Sequence, residues 1–488
     1  MPSLKPATLA IRVTCEGNVT EEALAGIEAA LETHRDAVDL LFARACLLED
    51  LGRLTRARGA YKGVLARDAI HFGALMNLGT MLYLENRKPE ARILYLHATK
   101  NYPDNANAFV NLGNVLAEDD PAAARRAYEQ ALALEPAHPT ACFGLALLLE
   151  AQGDAATATT YRQRAFAEPI VRTAPYRGTS TPVRLLVLLA AHGGNIVTTL
   201  LLDDHQVEST SLVADSYRDG MTLPPHDLIF NAIADADRSD DMLAVAERII
   251  AASGAPVLNP PAVVRVTRRA SVVRLNAIAG VTAPQTELLS RAEISVDALR
   301  ARGFSFPLLL RSPGFHMGEH FALVAQPGDL ASTLATLPGH EIYAIAYLDA
   351  SRPDGSVRKY RALFIDGAVY PVHLAISNTW KIHYFSADMR NNDVNRAEER
   401  AYLTDMAAYL GPQAMTALTG IAALLELDYG GIDFGIGPDG NVQVFEANPV
   451  MAVYFPDEDE RFAYRRAAIV RVVEAVRAMF SRRARLRP

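Results

Sequence analysis

Four tyrosines, Tyr61, Tyr95, Tyr128 and Tyr161, recur at spacings of 34, 33 and 33 residues. A second set, Ala45, Gly79, Gly113 and Ala146, recurs at 34, 34 and 33. A small residue stands four positions before each tyrosine (Ala57, Ala91, Ala124 and Thr157), and Pro103, Pro136 and Pro169 close the units. A period of this length describes a unit that cannot bury its apolar face alone and must stack on copies of itself. The small residue lets two helices approach, the aromatic ring fills the space beside it, and the proline stops the second helix.

Period and pattern together resemble the tetratricopeptide repeat over residues 38–171. Residues 1–37 then supply an N-terminal segment and a capping half-repeat, TEEALAGIEAALETH. The resemblance implies an all-α solenoid without chemistry of its own. Such a stack offers a concave surface to a peptide or protein partner, or braces the rest of the chain.

At 488 residues the chain exceeds one ordinary core, and its net charge of −8 argues against a dedicated nucleic-acid binder. Cys15, Cys46 and Cys142 have no paired spacing and read as free thiols of a reducing compartment. The N-terminus lacks a signal pattern, and the strongest apolar run, VRLLVLLAA, is too short to span a bilayer. A cytoplasmic protein without membrane or nucleic-acid partners is expected.

RTAPYRGTSTP (172–182) is rich in turn formers and reads as a linker. Beyond it strands and helices alternate: VRLLVLLA ends at His192, Gly193, Gly194 and Asn195, and HDLIFNAI ends near Asn231, Asp235 and Asp237. Parallel sheets place ligands at the carboxyl ends of their strands, which makes His192, Asn195 and Asn231 candidates for a substrate cleft. The plain alternative is that they turn the chain and cap helices.

GIDFGIGPDGNVQVFEANP (431–449) has strand–turn–strand form. With Pro438 and Asp439 at the turn, Asp433 lies opposite Val444 and diagonal to Glu446. Strand alternation then puts Val444, Glu446 and Asn448 on one face. Two carboxylates and a carboxamide converging beside an apolar strand repel one another without a cation, and hard oxygen donors suit magnesium. The bland reading is an exposed hairpin with solvated acids.

At this point residues 181–480 resemble an ATP-grasp ligase, the superfamily of D-alanine–D-alanine ligase and glutathione synthetase. That family ends its nucleotide site with an Asp on one strand and Glu-x-Asn on the next, here Asp433 and Glu446-Ala447-Asn448. The resemblance assigns these as ligands of Mg2+. It implies an α/β pre-ATP-grasp subdomain (183–262), an α+β ATP-grasp domain (263–481) and a basic tail (482–488).

The resemblance also assigns ATP contacts to Arg269, Arg311, a glycine loop with Ser312, Gly314 and Gly318, and a hinge at Ala346, Tyr347 and Leu348. Arg361 and Arg311 take catalytic roles. Two lysines usual in the family are here Arg269 and Arg311, which keep the charge and add bidentate phosphate binding. The implied reaction activates a carboxylate as an acyl phosphate for attack by an amine. The rivals are a non-catalytic nucleotide-binding scaffold and an ATP-grasp kinase.

His373, Trp380, Lys381 and His383 cluster between Arg361 and the hairpin, where a second substrate would enter. At the C-terminus Phe462, Ile469, Val473, Val476 and Phe480 fall at helical spacing, which puts the arginines on a solvated face.

Overall fold

The repeat period corresponds to a pair of helices. A computed structural model describes residues 21–315, 318–382, 387–456 and 459–485. Cys15 and His383 lie outside them. The chain divides into a helical unit ending at Glu168 and an α/β unit beginning at Pro169.

Among the described residues the helical unit holds nine helices, from Glu21–Thr33 to Ala155–Ala165, each packed on the next. Asp120 shows how one starts: Pro121 opens the first turn, and the Asp120 carboxylate accepts the Ala123 N–H at 2.9 Å. Tyr61, Tyr95 and Tyr128 are buried at the same place in successive pairs. Each hydroxyl finds a partner: Tyr61 donates to Glu49 at 2.6 Å, Tyr95 meets Thr80 at 3.1 Å, and Tyr128 donates to Asn114 at 2.8 Å.

The recurring small positions have the expected cause. A Cβ on Gly79 or Gly113 would stand 2.6 Å from the ring of Tyr95 or Tyr128. Gly113→Ala should therefore lower stability by about 1–3 kcal/mol through overpacking. The check is the midpoint of the helical melting transition; an unchanged midpoint contradicts the packing account. The pattern weakens at the end of the array, where Thr157 is exposed and Tyr161 half-buried, because no further repeat helix covers Ala155–Ala165. Cys46 and Cys142 are buried thiols outside any disulfide among the described residues.

Among its described residues the α/β unit contains three sheets. The first has parallel strands Val207–Val213, Val183–Leu189, Leu228–Asn231 and Val257–Leu258 in that order. Val171–Thr173 adds an antiparallel edge beside Val207–Val213, so the expected linker starts inside a sheet. The strand Val207–Val213 was not anticipated. The second sheet is antiparallel, in the order Thr286–Ser290, Glu341–Ala346, Leu308–Arg311, Phe321–Val324.

The third sheet runs Ala368–Ser377, Val357–Ile365, Tyr429–Ile436, Val442–Asn448, Val281–Thr282. One face packs on the helices Asp393–Thr404 and Met406–Leu425 through Tyr360, Tyr402, Phe434 and Leu418. Met406–Leu425 is long and apolar enough to cross a membrane, and Ala417, Leu418, Ile421 and Leu425 bury it in this core. Arg466–Ala484 packs Ile469, Val473, Val476 and Phe480 on the other side, as the spacing suggested, whereas Phe462 lies in the turn before this helix and joins the core with Tyr402 and Phe434. The basic tail begins within this helix: Arg483 pairs with Asp366 at 2.8 Å and Asp428 at 2.6 Å.

Candidate functional site

The hairpin turns through Gly437–Asn441, and Gly437 N–H donates to the Asn441 carbonyl at 2.9 Å. Its register differs from the simple count. Phe434 pairs with Val444, but Asp433 pairs directly with Glu446, so Phe445 is an extra residue in the second strand. This bulge changes the faces. Val444 and Ala447 enter the core with Phe434 and Ile432, so Val444 does not share a face with Glu446 and Asn448. The bulge is what brings the two carboxylates opposite each other.

Asp433 is almost fully buried, its side chain 4% exposed. Arg361, its cross-strand neighbour on Val357–Ile365, grips it with bonds of 2.6 and 2.9 Å, and Lys359 adds one of 3.0 Å. Burial alone would raise the Asp433 carboxyl, but Arg361 and Lys359 outweigh it and hold the group well below the usual carboxylate range. Lys359 went unnoticed in the sequence, although it lies two residues before Arg361 and therefore on the same strand face.

Glu446 is more open, with its side chain 25% exposed. It accepts from Arg269 at 2.6 Å and from the Asn448 carboxamide at 2.9 Å. The Asn448 oxygen accepts the Val450 N–H at 2.9 Å. Burial pulls the Arg269 guanidinium down, but Glu446 and Asp237 leave it above its ordinary value. Two carboxylates and a carboxamide oxygen on neighbouring strands are hard donors of the kind magnesium takes, and here Arg361, Lys359, Arg269 and the Val450 N–H engage them.

A small cavity opens beside Glu446, lined by Asp235, Asp237, Arg269, Arg311, Ser312, Pro313, Gly314, Phe315 and Tyr343. A second shares Asp237, Arg269 and Glu446 and is otherwise walled by Thr267, Arg268, Val272, Pro284, Thr286, Ile345, Phe445 and Ala447. Arg311 is 8% exposed, and burial first, then the nearby Arg269 charge, brings its pKa down to about 10. Asp237, Tyr343 and Phe445 are lining residues that the sequence did not mark as a set. They come from three separate loops and strands.

Other candidates have other work. The Asn231 amide donates to the Asn259 carbonyl at 2.9 Å, and its oxygen accepts the Ile233 N–H at 3.3 Å. Asn195 closes its own loop on the Ala190 backbone with two bonds of 2.8 Å. Both side chains are thus spent on the backbone, not directed at a cleft. His192 is half-buried in the turn after Val183–Leu189. The Ala346 N–H donates to the Gln285 carbonyl at 2.9 Å, and neither cavity is lined by Ala346, Tyr347 or Leu348. The Ser312 hydroxyl donates to the Pro338 carbonyl at 2.7 Å.

The expected cluster of His373, Trp380, Lys381 and His383 separates. His373 is buried opposite Arg361 in the sheet, where burial and then the Arg361 charge hold its pKa well below normal and keep it neutral. Trp380 packs edge-on against Phe321 at 5.4 Å, and Lys381 donates to the Phe321 carbonyl at 3.0 Å. A Cβ on Gly318 would stand 3.1 Å from Lys381. Trp380 and Lys381 therefore rest on the end of the glycine loop.

Family models described as tetratricopeptide repeat match residues 17–68, 42–106 and 115–164. Among solved structures, "MamA 41-end from Desulfovibrio magneticus RS-1" is 22% identical, covering 30% of this chain and 84% of that one, with a TM-score of 0.28. The Pseudomonas aeruginosa PilF structure is 28% identical, covering 30% and 67%, with a TM-score of 0.28. TTC0263, described as a thermophilic TPR protein in Thermus thermophilus, is 24% identical over 30% and 80%, with a TM-score of 0.26. Among curated proteins, none matches. The helical unit carries tetratricopeptide repeats, matched over residues 17–106 and 115–164.

Proposed function

We propose that residues 183–481 form an ATP-grasp carboxylate–amine ligase, and that the repeat array docks a peptide or protein partner. The observation that carries the ligase reading is the pairing of Asp433 with Glu446 at the bulge, with Glu446 opening onto a cavity that holds Arg269 and Arg311. The apolar side chains Val272, Pro284, Ile345 and Phe445 of the adjoining cavity suit a purine, and the arginines suit its phosphates.

In this reading Asp433, Glu446 and Asn448 hold Mg2+, which when bound neutralises phosphate charge. Arg269 contacts the nucleotide phosphates. Arg311 faces the donor carboxylate and the phosphoryl group it receives, while Arg361 fixes Asp433. Phosphoryl transfer asks mainly for positioning and charge balance, which these groups supply without a nucleophilic side chain.

The test is ADP release by the full-length protein with Mg2+ and ATP, alone and with pooled carboxylates and amines, followed by mass analysis. Release that needs both additions, with a product of summed mass, supports the ligase. A product carrying phosphate on a hydroxyl means a kinase. Nucleotide binding without turnover means a scaffold, the second reading, favoured by the engagement of Asp433 with two protein cations.

Trp380 gives a further expectation. Its contact with Phe321 ties it to the loop after Arg311, so Trp380→Ala should raise the KM for ATP about three- to tenfold. Saturation curves for ATP and for the acceptor check this. A larger effect on the acceptor contradicts the packing argument.

A further inference from the structure

The first helices of the central repeat pairs are buried on every side. In Phe72–Leu84 all eleven residues from Gly73 to Tyr83 are buried, three turns of helix without an open face. In Ala106–Leu116 the run from Val110 to Leu116 is buried in the same way. The second helices keep an open face instead: Arg92, Ile93 and Leu96 are exposed on Lys88–Asn101, and Arg125, Arg126 and Glu129 on Pro121–Leu134.

Packing within the array accounts for only part of this burial. Phe72–Leu84 packs on Leu54–Leu65, Lys88–Asn101 and Ala106–Leu116, and Ala106–Leu116 packs in turn on Pro139–Ala151. First helices that meet across successive pairs line the inside of the curve, so their remaining face opens on the concave surface. A stack two helices thick has no further helix to cover that face. Met76 and Val110, at equivalent positions of successive first helices, are nevertheless both 0% exposed.

Residues 1–20, which lead into Glu21–Thr33, have the pattern and the length to be the cover. Leu9, Ile11, Val13 and Cys15 alternate with Ala10, Arg12 and Thr14. That is the period of an extended strand with one apolar face. Packed helices stand about 10 Å apart, so crossing three first helices takes about six extended residues. Lys5 and Arg12 suit the carboxylates at the ends of the first helices, Asp50, Glu85, Glu118 and Glu150, although the last three also meet Arg58, Lys88 and Arg162.

We propose that residues 8–15 occupy the concave groove as an extended strand, with Leu9, Ile11 and Val13 against the first helices, and that an outside partner enters by displacing them. The displacement rests on the docking reading of the array. The partner is then an extended peptide segment with the same alternation of apolar side chains.

The experiment places a photoreactive benzophenone side chain at Ile11 of the full-length protein, and in a second preparation at Arg12, and maps the cross-links by mass. Position 11 should couple to Phe72–Leu84 or Ala106–Leu116 several-fold more than position 12, which faces the other way. In parallel a fluorescent peptide of residues 4–16 is titrated into wild type and into the full-length double variant Ile11→Asp, Val13→Asp. A tethered segment competes at an effective concentration near millimolar, so evicting it should tighten the peptide by about tenfold or more.

Cross-links to other parts of the chain, or between two molecules, overturn the proposal. Cross-links to the first helices without peptide binding by the variant sustain the covered groove and refute the docking reading. Peptide that binds wild type as tightly as the variant overturns the proposal and leaves docking standing, so the two can fail separately. If the variant does not fold, the cross-links decide alone.

Discussion

Asp433→Asn should destabilise the α/β unit by about 3–5 kcal/mol, the cost of leaving buried charge without its partner. Arg361 and Lys359 both point at this one carboxylate, so its loss strands two cations inside the sheet. An added Lys359→Met should recover part of the loss by removing one of them. The measurement is denaturant unfolding followed by a signal from the α/β unit, with the repeat array as internal reference. Stability equal to wild type would mean that water already screens the site. Catalysis should also fall, but the stability loss is the distinguishing result.

Glu446→Gln should behave in the opposite way. Its carboxylate is more exposed than that of Asp433 and meets one guanidinium instead of two cations, so its loss should cost less folding free energy. The melting curve should stay close to that of wild type. Magnesium-dependent ATP turnover should nevertheless drop by about a hundredfold or more, because several kcal/mol of charge neutralisation depend on that oxygen. Full turnover in a normally folded variant would remove Glu446 from the metal site. The two carboxylates face each other across one strand pair yet should separate stability from chemistry, because Asp433 is buried between two cations and Glu446 is partly exposed beside one.

The solenoid was legible because a period repeats its own evidence. Tyr95 and Tyr128 stand in the same environment, so each occurrence supports the other. The terminal copy, with Tyr161 half-buried, has no neighbour to enforce the pattern. The hairpin was legible as an element but not in register. Nothing local in NVQVFEANP announces Phe445 as an inserted residue; the bulge depends on Val444 and Ala447 both reaching the core.

Site residues followed the same division. Asp433, Glu446 and Asn448 lie on one hairpin, and Lys359 could have been found by alternation from Arg361. Arg311 and Tyr343 meet as cross-strand partners in the second sheet, and Asp237 joins them from the loop after Leu228–Asn231, a meeting that no local spacing encodes. Asn231 and Asn195 were misleading because a polar residue at a strand end can serve the backbone as readily as a ligand.

The Arg269–Glu446 pair forms part of the wall between the two cavities. A ligand that draws Arg269 toward its own phosphate loosens the hold on Glu446, and that carboxylate then presents more negative charge to the neighbouring chamber. A metal ion settling on Glu446 releases Arg269 in return. Each occupant therefore alters the affinity for the other through one shared pair, and thermodynamics requires the two effects to be equal. Such a partition makes loading order a property of the wall rather than of either chamber.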